Sequence, residues 1–257
     1  FSCRLDARQG KEVGCAMRIA MVGHKRVPSR EGGIEVVVEA LASRMVALGH
    51  TVTCYNRSGH HVSGREHDTA PLREYKGIRL VSVPTIDRKG LAAASSSFFA
   101  CLAAAFGPYD VVHVHAEGPA VFCWLPRLMG KRVILTVHGL DWARDKWKGT
   151  FGSWYIHLGE KIGVRFANEI IVLNHHTQQY FRDVYGRETH YIPNGVDPAP
   201  HAEPDLIRTQ YGLDTNSYIL YLGRIVPEKG CHYLCEAFKH LKTDKRLVFA
   251  GGSSDSQ

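Results

Sequence analysis

Three histidines stand at the ends of two short apolar runs, and their spacing is the first chemical signal in the chain. His113 and His115 flank Val114, and His138-Gly139 follows RVILTV. Alternation along an extended strand sends His113 and His115 to one face. Such a pair, with Glu117 nearby, suits a metal, the polar lining of a sugar site, or hydrogen-bonded structural histidines; the residues leave the three open. No H-E-x-x-H or other recognised ligand set is present. A second signal is Gly32-Gly33 directly before a helical pattern. Two glycines let a ligand approach the backbone, and a helix N-terminus offers free amides to a phosphate or sugar oxygen; a simple tight turn explains them equally. The third is Gly223-Arg224 followed by Glu228-Lys229-Gly230. Two cations ahead of a helix N-terminus suit a diphosphate, or form a solvated charged turn.

These residues need elements to position them. Met17 to Gly23 reads as a buried strand, Ile34 to Leu48 as a helix stopped at Gly49, and Thr51 to Tyr55 and Ile78 to Val83 as strands. Ala92 to Phe106 follows as a helix, Asp110 to Val114 as a strand, Pro119 to Met129 as a helix and Arg132 to Val137 as a strand. Trp154 to Ala167, Glu169 to Leu173, His175 to Val184 and His190 to Ile192 continue the alternation. The pattern predicts an α/β fold, an open parallel sheet with helices on both faces. Ligands in such sheets bind at the carboxyl edge of the strands, here just after Gly23, Val114, Val137 and Leu173. Pro193 to Asp214 reads as carrying a linker. The pattern then restarts with a strand Tyr218 to Leu222, a helix Lys229 to Leu241 and a strand Arg246 to Ala250. The domains expected are therefore 17–197, a linker over 198–214 and the opening of a second domain over 215–257. Residues 1–16 read as an extension ahead of the fold, and the chain reads as cut within the second domain.

Composition narrows the classes. The 257 residues are 44% hydrophobic and 22% charged, an ordinary globular balance. A net charge of +7 favours anionic partners. Basic residues are scattered without an aromatic-interleaved run, which argues against nucleic acid. The dinucleotide fingerprint G-x-G-x-x-G is absent, which argues against a dehydrogenase. Seven cysteines without CxxC spacing read as reduced thiols of a cytoplasmic protein. No run reaches the length of a membrane-spanning helix, and residues 1–16 have no signal-peptide core.

In order along the chain, MVGHKRVPSREGGIE, YDVVHVHAEGPA, TVHGLDW, IPNGVD and YLGRIVPEKGCHYLCEAF resemble glycosyltransferase family 4, of the two-domain GT-B architecture. The similarity runs from about Met17 to Gly252, and includes bacterial, rhamnosyltransferase-like enzymes that build cell-surface polysaccharides. It implies a complete N-terminal Rossmann-like domain on the acceptor side and the first β-α-β of a second, nucleotide-sugar-binding one. It also implies a retaining, metal-independent transfer, with no cofactor, from a nucleotide-diphosphate sugar to a carbohydrate or lipid-linked acceptor hydroxyl. By the resemblance, Gly32 and Gly33 meet the donor phosphate or sugar, and His138 contacts the transferred sugar. Arg224 and Lys229, with Gly230 beside them, hold the diphosphate, and Asn194 to Asp197 form the turn into the second domain.

His113, His115, Asp141, Trp142 and Asn194 complete the expected sugar or acceptor lining, Asp141 being equally suited to capping a helix. The loop Gly59 to Glu74 and the aromatics Trp142, Trp147, Phe151, Trp154 and Tyr155 are further acceptor-site candidates. Positive charge and the stretch Leu91 to Phe106 suit peripheral contact with an anionic membrane on its cytoplasmic face. The family's Glu-x7-Glu motif lies late in the second domain and has no counterpart in the expected segment, so the 257-residue chain is expected to turn over poorly. A sugar-nucleotide epimerase of the same architecture and a non-catalytic binding protein are the other classes considered.

Overall fold

The structure is a computed structural model that describes residues 16–29, 32–59, 72–86, 88, 91–140, 151–198, 203 and 205–252. The chain divides between Gly195 and Val196 into two compact units.

The first unit is built on an eight-stranded sheet with the order β3-β4-β2-β1-β5-β6-β7-β8. In chain order the strands are β1 (Arg18–Val22), β2 (Thr51–Arg57), β3 (Glu74–Tyr75), β4 (Ile78–Val83), β5 (Val111–His115), β6 (Arg132–Val137), β7 (Glu169–Val172) and β8 (His190–Tyr191). All neighbours pair in parallel except β3 and β4. The helices are α1 (Gly33–Ala47), α2 (Leu91–Phe106), α3 (Glu117–Ala120), α4 (Trp124–Leu128), α5 (Phe151–Phe166) and α6 (His175–Tyr185).

Runs such as RIAMV and VVHVH are apolar at nearly every position because the central strands are covered on both faces. Ala20, Val22, Val112, Val114, Val133 and Leu135 pack with Ala100, Cys101, Ala104 of α2 and Phe181 of α6. Ile19, Met21, Val52, Cys54, Ile78 and Leu80 pack on the other face with Val38 and Ala42 of α1. Each such side chain contributes about 1.5–3 kcal/mol when fully buried, so the two cores lock the register of β1, β2 and β5.

Three features differ from the sequence expectation. The two-residue β3 pairs with β4 through Lys76-Gly77, both with positive φ (51° and 75°), the turn that the twist of a tight hairpin favours. The single helix expected over Pro119 to Met129 is two short ones, α3 and α4, joined by turns. Pro126 has no N–H to offer the Phe122 carbonyl, which instead accepts from Leu125 N at 3.1 Å. The segment read as a linker, 198–214, contains a helix, α7 (Asp205–Tyr211).

The second unit carries α7, then β9 (Tyr218–Leu222), a 3₁₀ turn over Pro227–Lys229, α8 (Cys231–Lys239) and β10 (Arg246–Ala250). β9 and β10 pair in parallel from Arg246↔Tyr218 to Ala250↔Leu222. This is the expected β-α-β order.

Candidate functional site

The chain leaves β1 for β2 on one side, and β5 leads to β6 on the other, so the direction of winding reverses between β1 and β5. The crevice at the carboxyl ends of two such strands is where open α/β sheets bind ligands. The two exits are pressed together. Gly23 follows β1 with φ 106°, and a Cβ there would collide with the His115 carbonyl oxygen. Only glycine fits both the backbone conformation and the space.

Beneath this edge the histidines form a stack. The rings of His113 and His115 lie 4.2 Å apart between centroids and those of His115 and His138 5.4 Å. His113 Nε2 is 2.7 Å from Thr136 Oγ1, and His115 Nδ1 is 3.2 Å from His138 Nε2. Of those last two nitrogens one donates and the other accepts, so the accepting ring is neutral when the bond is made. Burial pushes His113 and His138 down to about 4, and His115 well below the ordinary histidine value. Neighbouring rings add to the depression at His113 and His115, whereas the Glu35 carboxylate opposes it at His138. His113 and His115 are buried and His138 is half-buried. His113 and His115, expected as lining, are thus buried, and the half-buried His138 is held by His115.

The loop after β1 is held from several sides. Asn56 Oδ1 accepts from Val27 N at 3.0 Å while its Nδ2 donates to Val27 O at 2.9 Å. That pairing fixes the amide's orientation, so His24 Nε2, 3.1 Å from Asn56 Oδ1, carries its proton. His24 Nδ1 is then a lone-pair acceptor, buried and without a hydrogen-bond partner among the described residues. Burial lowers His24 to about 4 despite the bond to Asn56. Arg57 N donates to Lys25 O at 2.8 Å, and Lys25 N donates to Glu35 Oε1 at 2.9 Å. Glu35 sits buried in the first turn of α1, where the helix dipole favours a carboxylate.

The glycine pair splits into two roles. A Cβ at Gly32 would overlap the Glu35 carboxylate, whereas at Gly33 nothing lies within 4 Å. Gly33 thus presents an open helix start, and Gly32 makes room for Glu35. His24, Glu35, Asn56 and Arg57 were not singled out from the sequence. The signal available was position alone: His24 directly follows the Gly23 exit, and Arg57 ends a strand at the same edge.

In the second unit Arg224 and Lys229 sit between β9 and α8, both exposed. Tyr221 donates its hydroxyl to Arg224 O at 3.0 Å, fixing the loop. Among the described residues neither cation forms an ion pair. Gly230, φ 69°, ends the 3₁₀ turn and begins α8 with no side-chain cap, so the first amides of α8 are left for another acceptor. Two exposed cations beside a helix N-terminus without a side-chain cap have the chemistry that would suit a diphosphate.

Asn194 lies exposed after β8, the edge strand, two places from β6 in the sheet, and is not gathered with the histidines. Asp141, Trp142, Trp147, the Phe151 side chain and most of the Gly59 to Glu74 loop lie outside the described residues. Trp154 is exposed on α5, and Tyr155 packs against Gly118, its hydroxyl buried without a partner among the described residues. Among the described residues no three His, Cys, Asp or Glu side chains converge as metal ligands, and no helix is long and apolar enough to cross a membrane.

The chain is 26% identical over 252 residues to a D-inositol 3-phosphate glycosyltransferase of Xylanimonas cellulosilytica, covering 87% of this chain and 58% of that protein. It is 27% identical over 241 residues to a GDP-mannose-dependent phosphatidylinositol monomannoside mannosyltransferase of Mycolicibacterium smegmatis, covering 88% and 58%. The chain thus spans well under two thirds of the length of these relatives. Among solved structures it superposes on Anabaena HepE in complex with UDP and glucose (TM-score 0.69, 17% identity, 93% of this chain and 62% of that one). It also superposes on an E. coli protein bound with UDP-2-fluoro glucose (TM-score 0.58, 15% identity, 93% and 65%). Residues 205–257 match the model of glycosyl transferases group 1. Residues 31–200 match that of Glycosyltransferase Family 4, and with the GT-B sheet and its glycine-gated carboxyl edge already in place, the chain belongs to glycosyltransferase family 4.

Proposed function

We propose that the protein transfers a sugar from a nucleotide-diphosphate donor to the hydroxyl of a carbohydrate or lipid-linked acceptor, with retention and without a metal ion. The observation that carries this reading is the pair Arg224 and Lys229, without an ion pair among the described residues and beside the open N-terminus of α8. Departure of a nucleoside diphosphate builds negative charge on the terminal phosphate. A bidentate guanidinium, an ammonium and aligned amides oppose that charge with little reorganisation.

In the first unit, His138 is a neutral imidazole at neutral pH, held by His115, and offers a hydrogen bond to a sugar hydroxyl without repelling a developing oxocarbenium ion. The names of the relatives, and the UDP and UDP-sugar in the neighbouring structures, support a nucleotide-sugar donor. A place in surface polysaccharide or glycolipid synthesis, on the cytoplasmic face of a membrane, is part of the same reading. Leu91, Phe98 and Phe106 of α2 are exposed, and with a net charge of +7 they suit an anionic bilayer. Failure of the chain to float with anionic vesicles at low salt would remove that element.

Calorimetric titration with UDP-, GDP-, ADP- and dTDP-sugars tests the reading. One donor is expected to bind, with a loss of about tenfold or more in Arg224→Ala. A folded chain that binds none of them, or binds one equally in Arg224→Ala, rejects it.

A further inference from the structure

One cation at the carboxyl edge of the first unit has no side-chain hydrogen bond or ion pair among the described residues. Arg57 is the last residue of β2, half-buried, and its backbone N–H holds the Lys25 carbonyl. Its side chain makes no hydrogen bond or ion pair among the described residues, and its Nε is buried without a partner. Burial lowers its affinity for its proton, with Glu35 acting in the opposite sense. Glu35 does not neutralise it at close range: its Oε1 is engaged by Lys25 N, and its position in the first turn of α1 already compensates it.

A guanidinium carries five donors in a fixed fork, and leaving them unmade in a partly desolvated place is costly unless something else completes them. The place is also informative. Arg57 N donates to Lys25 O and the neighbouring Asn56 pairs with Val27, so Arg57 is tied to the loop that follows β1 at the carboxyl edge of the sheet.

We propose that Arg57 anchors a phosphoryl group carried by the acceptor, bound over the carboxyl end of β2. The inference rests on the transferase reading for the word acceptor, but the anion site stands on Arg57 alone. A phosphoryl group matches the fork in geometry and charge, and replaces the missing hydrogen bonds with charge-assisted ones. The group belongs to a water-soluble sugar phosphate or to a lipid phosphate.

The test uses the 257-residue chain with Arg224→Ala as background, so that the second-unit cations do not report. Thermal unfolding is followed with and without inorganic phosphate, in that background and with Arg57→Met or Arg57→Lys added. Phosphate is expected to raise the midpoint in the background. Arg57→Met is expected to abolish the rise while leaving the phosphate-free midpoint equal or higher, because an unpaired, partly desolvated cation has been removed. Arg57→Lys keeps the charge without the fork and is expected to weaken phosphate binding about fivefold or more.

An equal phosphate response in Arg57→Met, or none in the background, overturns the proposal. A fall in the phosphate-free midpoint of both variants also overturns it, since Arg57 would then be holding the fold. Flotation with phosphatidylcholine vesicles with and without phosphatidic acid separates the sources. Arg57-dependent flotation on phosphatidic acid supports a lipid phosphate, and phosphate binding without it supports a soluble one. Sugar-nucleotide binding in the Arg224 wild type is scored separately. Donor binding with a silent Arg57 sinks this inference alone, and an Arg57 phosphate response without donor binding sinks the transferase reading alone.

Discussion

His24, His113, His115 and His138 all pay for burial in the same sense: each is easier to protonate in the unfolded chain than in the folded one. An exposed histidine titrates near about 6.5, whereas His24, His113 and His138 are held at about 4 and His115 lower. Between these values the unfolded state takes up protons that the folded state refuses, so stability falls as the pH drops from about 6.5 towards 4. Taken alone, one such histidine contributes about 3 kcal/mol across that window. Asp110, Glu169 and Glu188 are held below the usual carboxylate range by Arg18, His190 and Arg182 in turn, and their stabilisation is lost only at lower pH. Urea unfolding at pH 7.5, 6 and 5 is therefore expected to give a falling midpoint; equal midpoints at pH 7.5 and 5 would contradict the buried stack. The glycines give a second contrast at this scale. Gly23→Ala meets both a positive φ and the His115 carbonyl, and is expected to lose more than about 2 kcal/mol. Gly33→Ala enters open space at a helix start and is expected to be neutral or to gain up to about 1 kcal/mol. Matching losses in the two variants would refute the division of labour. The histidines were legible because alternation and strand ends are local properties. Glu35 and Asn56 were not, because their partners at Lys25 and Val27 are 10 and 29 residues away.

Elements were read from period and punctuation, and the reading held where both were strong. The helix expected from His175 is α6: Asn174 Oδ1 accepts from Thr177 N at 2.7 Å, and Gly186 closes it with φ 60°. Asn174→Ala is expected to cost about 1 kcal/mol in equilibrium unfolding, and an unchanged midpoint would show that the cap is idle. The helix expected over Trp154 to Ala167 is α5, which starts three residues earlier, at Phe151, and ends one residue earlier, at Phe166. Its glycines carry a contact that no periodicity shows. A Cβ at Gly159 would run into the Glu117 carbonyl, and one at Gly163 into the Leu135 side chain. α5 therefore lies against the backbone of α3, the short helix that follows the His115 strand. Gly159→Leu is expected to lift α5 away and cost about 3 kcal/mol or more, with altered near-ultraviolet dichroism from Trp154 and Tyr155. An unperturbed spectrum and midpoint would show that α5 is free to shift. Hairpins as short as β3 and a helix as short as α7 escape such reading, since two residues make a single strand period and seven make fewer than two helical turns.

At the scale of the whole molecule, the two units differ in what each buries. The first encloses the central strands between two apolar layers, with Ala20, Met21, Val22, Val112 and Val114 at essentially full burial. In the second, neither α7 nor α8 contributes a buried residue, and Leu213 is the one described hydrophobic side chain that is buried. Leu220, Leu222 and Tyr233 are exposed there at 47%, 77% and 72%. A two-stranded sheet with an unburied helix gains little apolar transfer free energy against the ordering of its backbone. Local opening is therefore expected to be cheap in the second unit and to approach global unfolding in the first. Hydrogen exchange resolves this directly. Amides of β1, β5 and β6 are expected to exchange orders of magnitude more slowly than those of β9, β10 and α8. The diphosphate reading adds a condition: a nucleotide sugar bound through Arg224, Lys229 and the α8 amides stabilises only the closed form, so saturating donor slows exchange in β9 and α8 in proportion to its affinity. Arg224→Ala should erase that protection and leave the exchange of β1 and β5 untouched. Equal protection of both units without donor would show that the second is held by more than its own contacts. Donor-induced protection confined to the first unit would place the nucleotide there, away from the two cations.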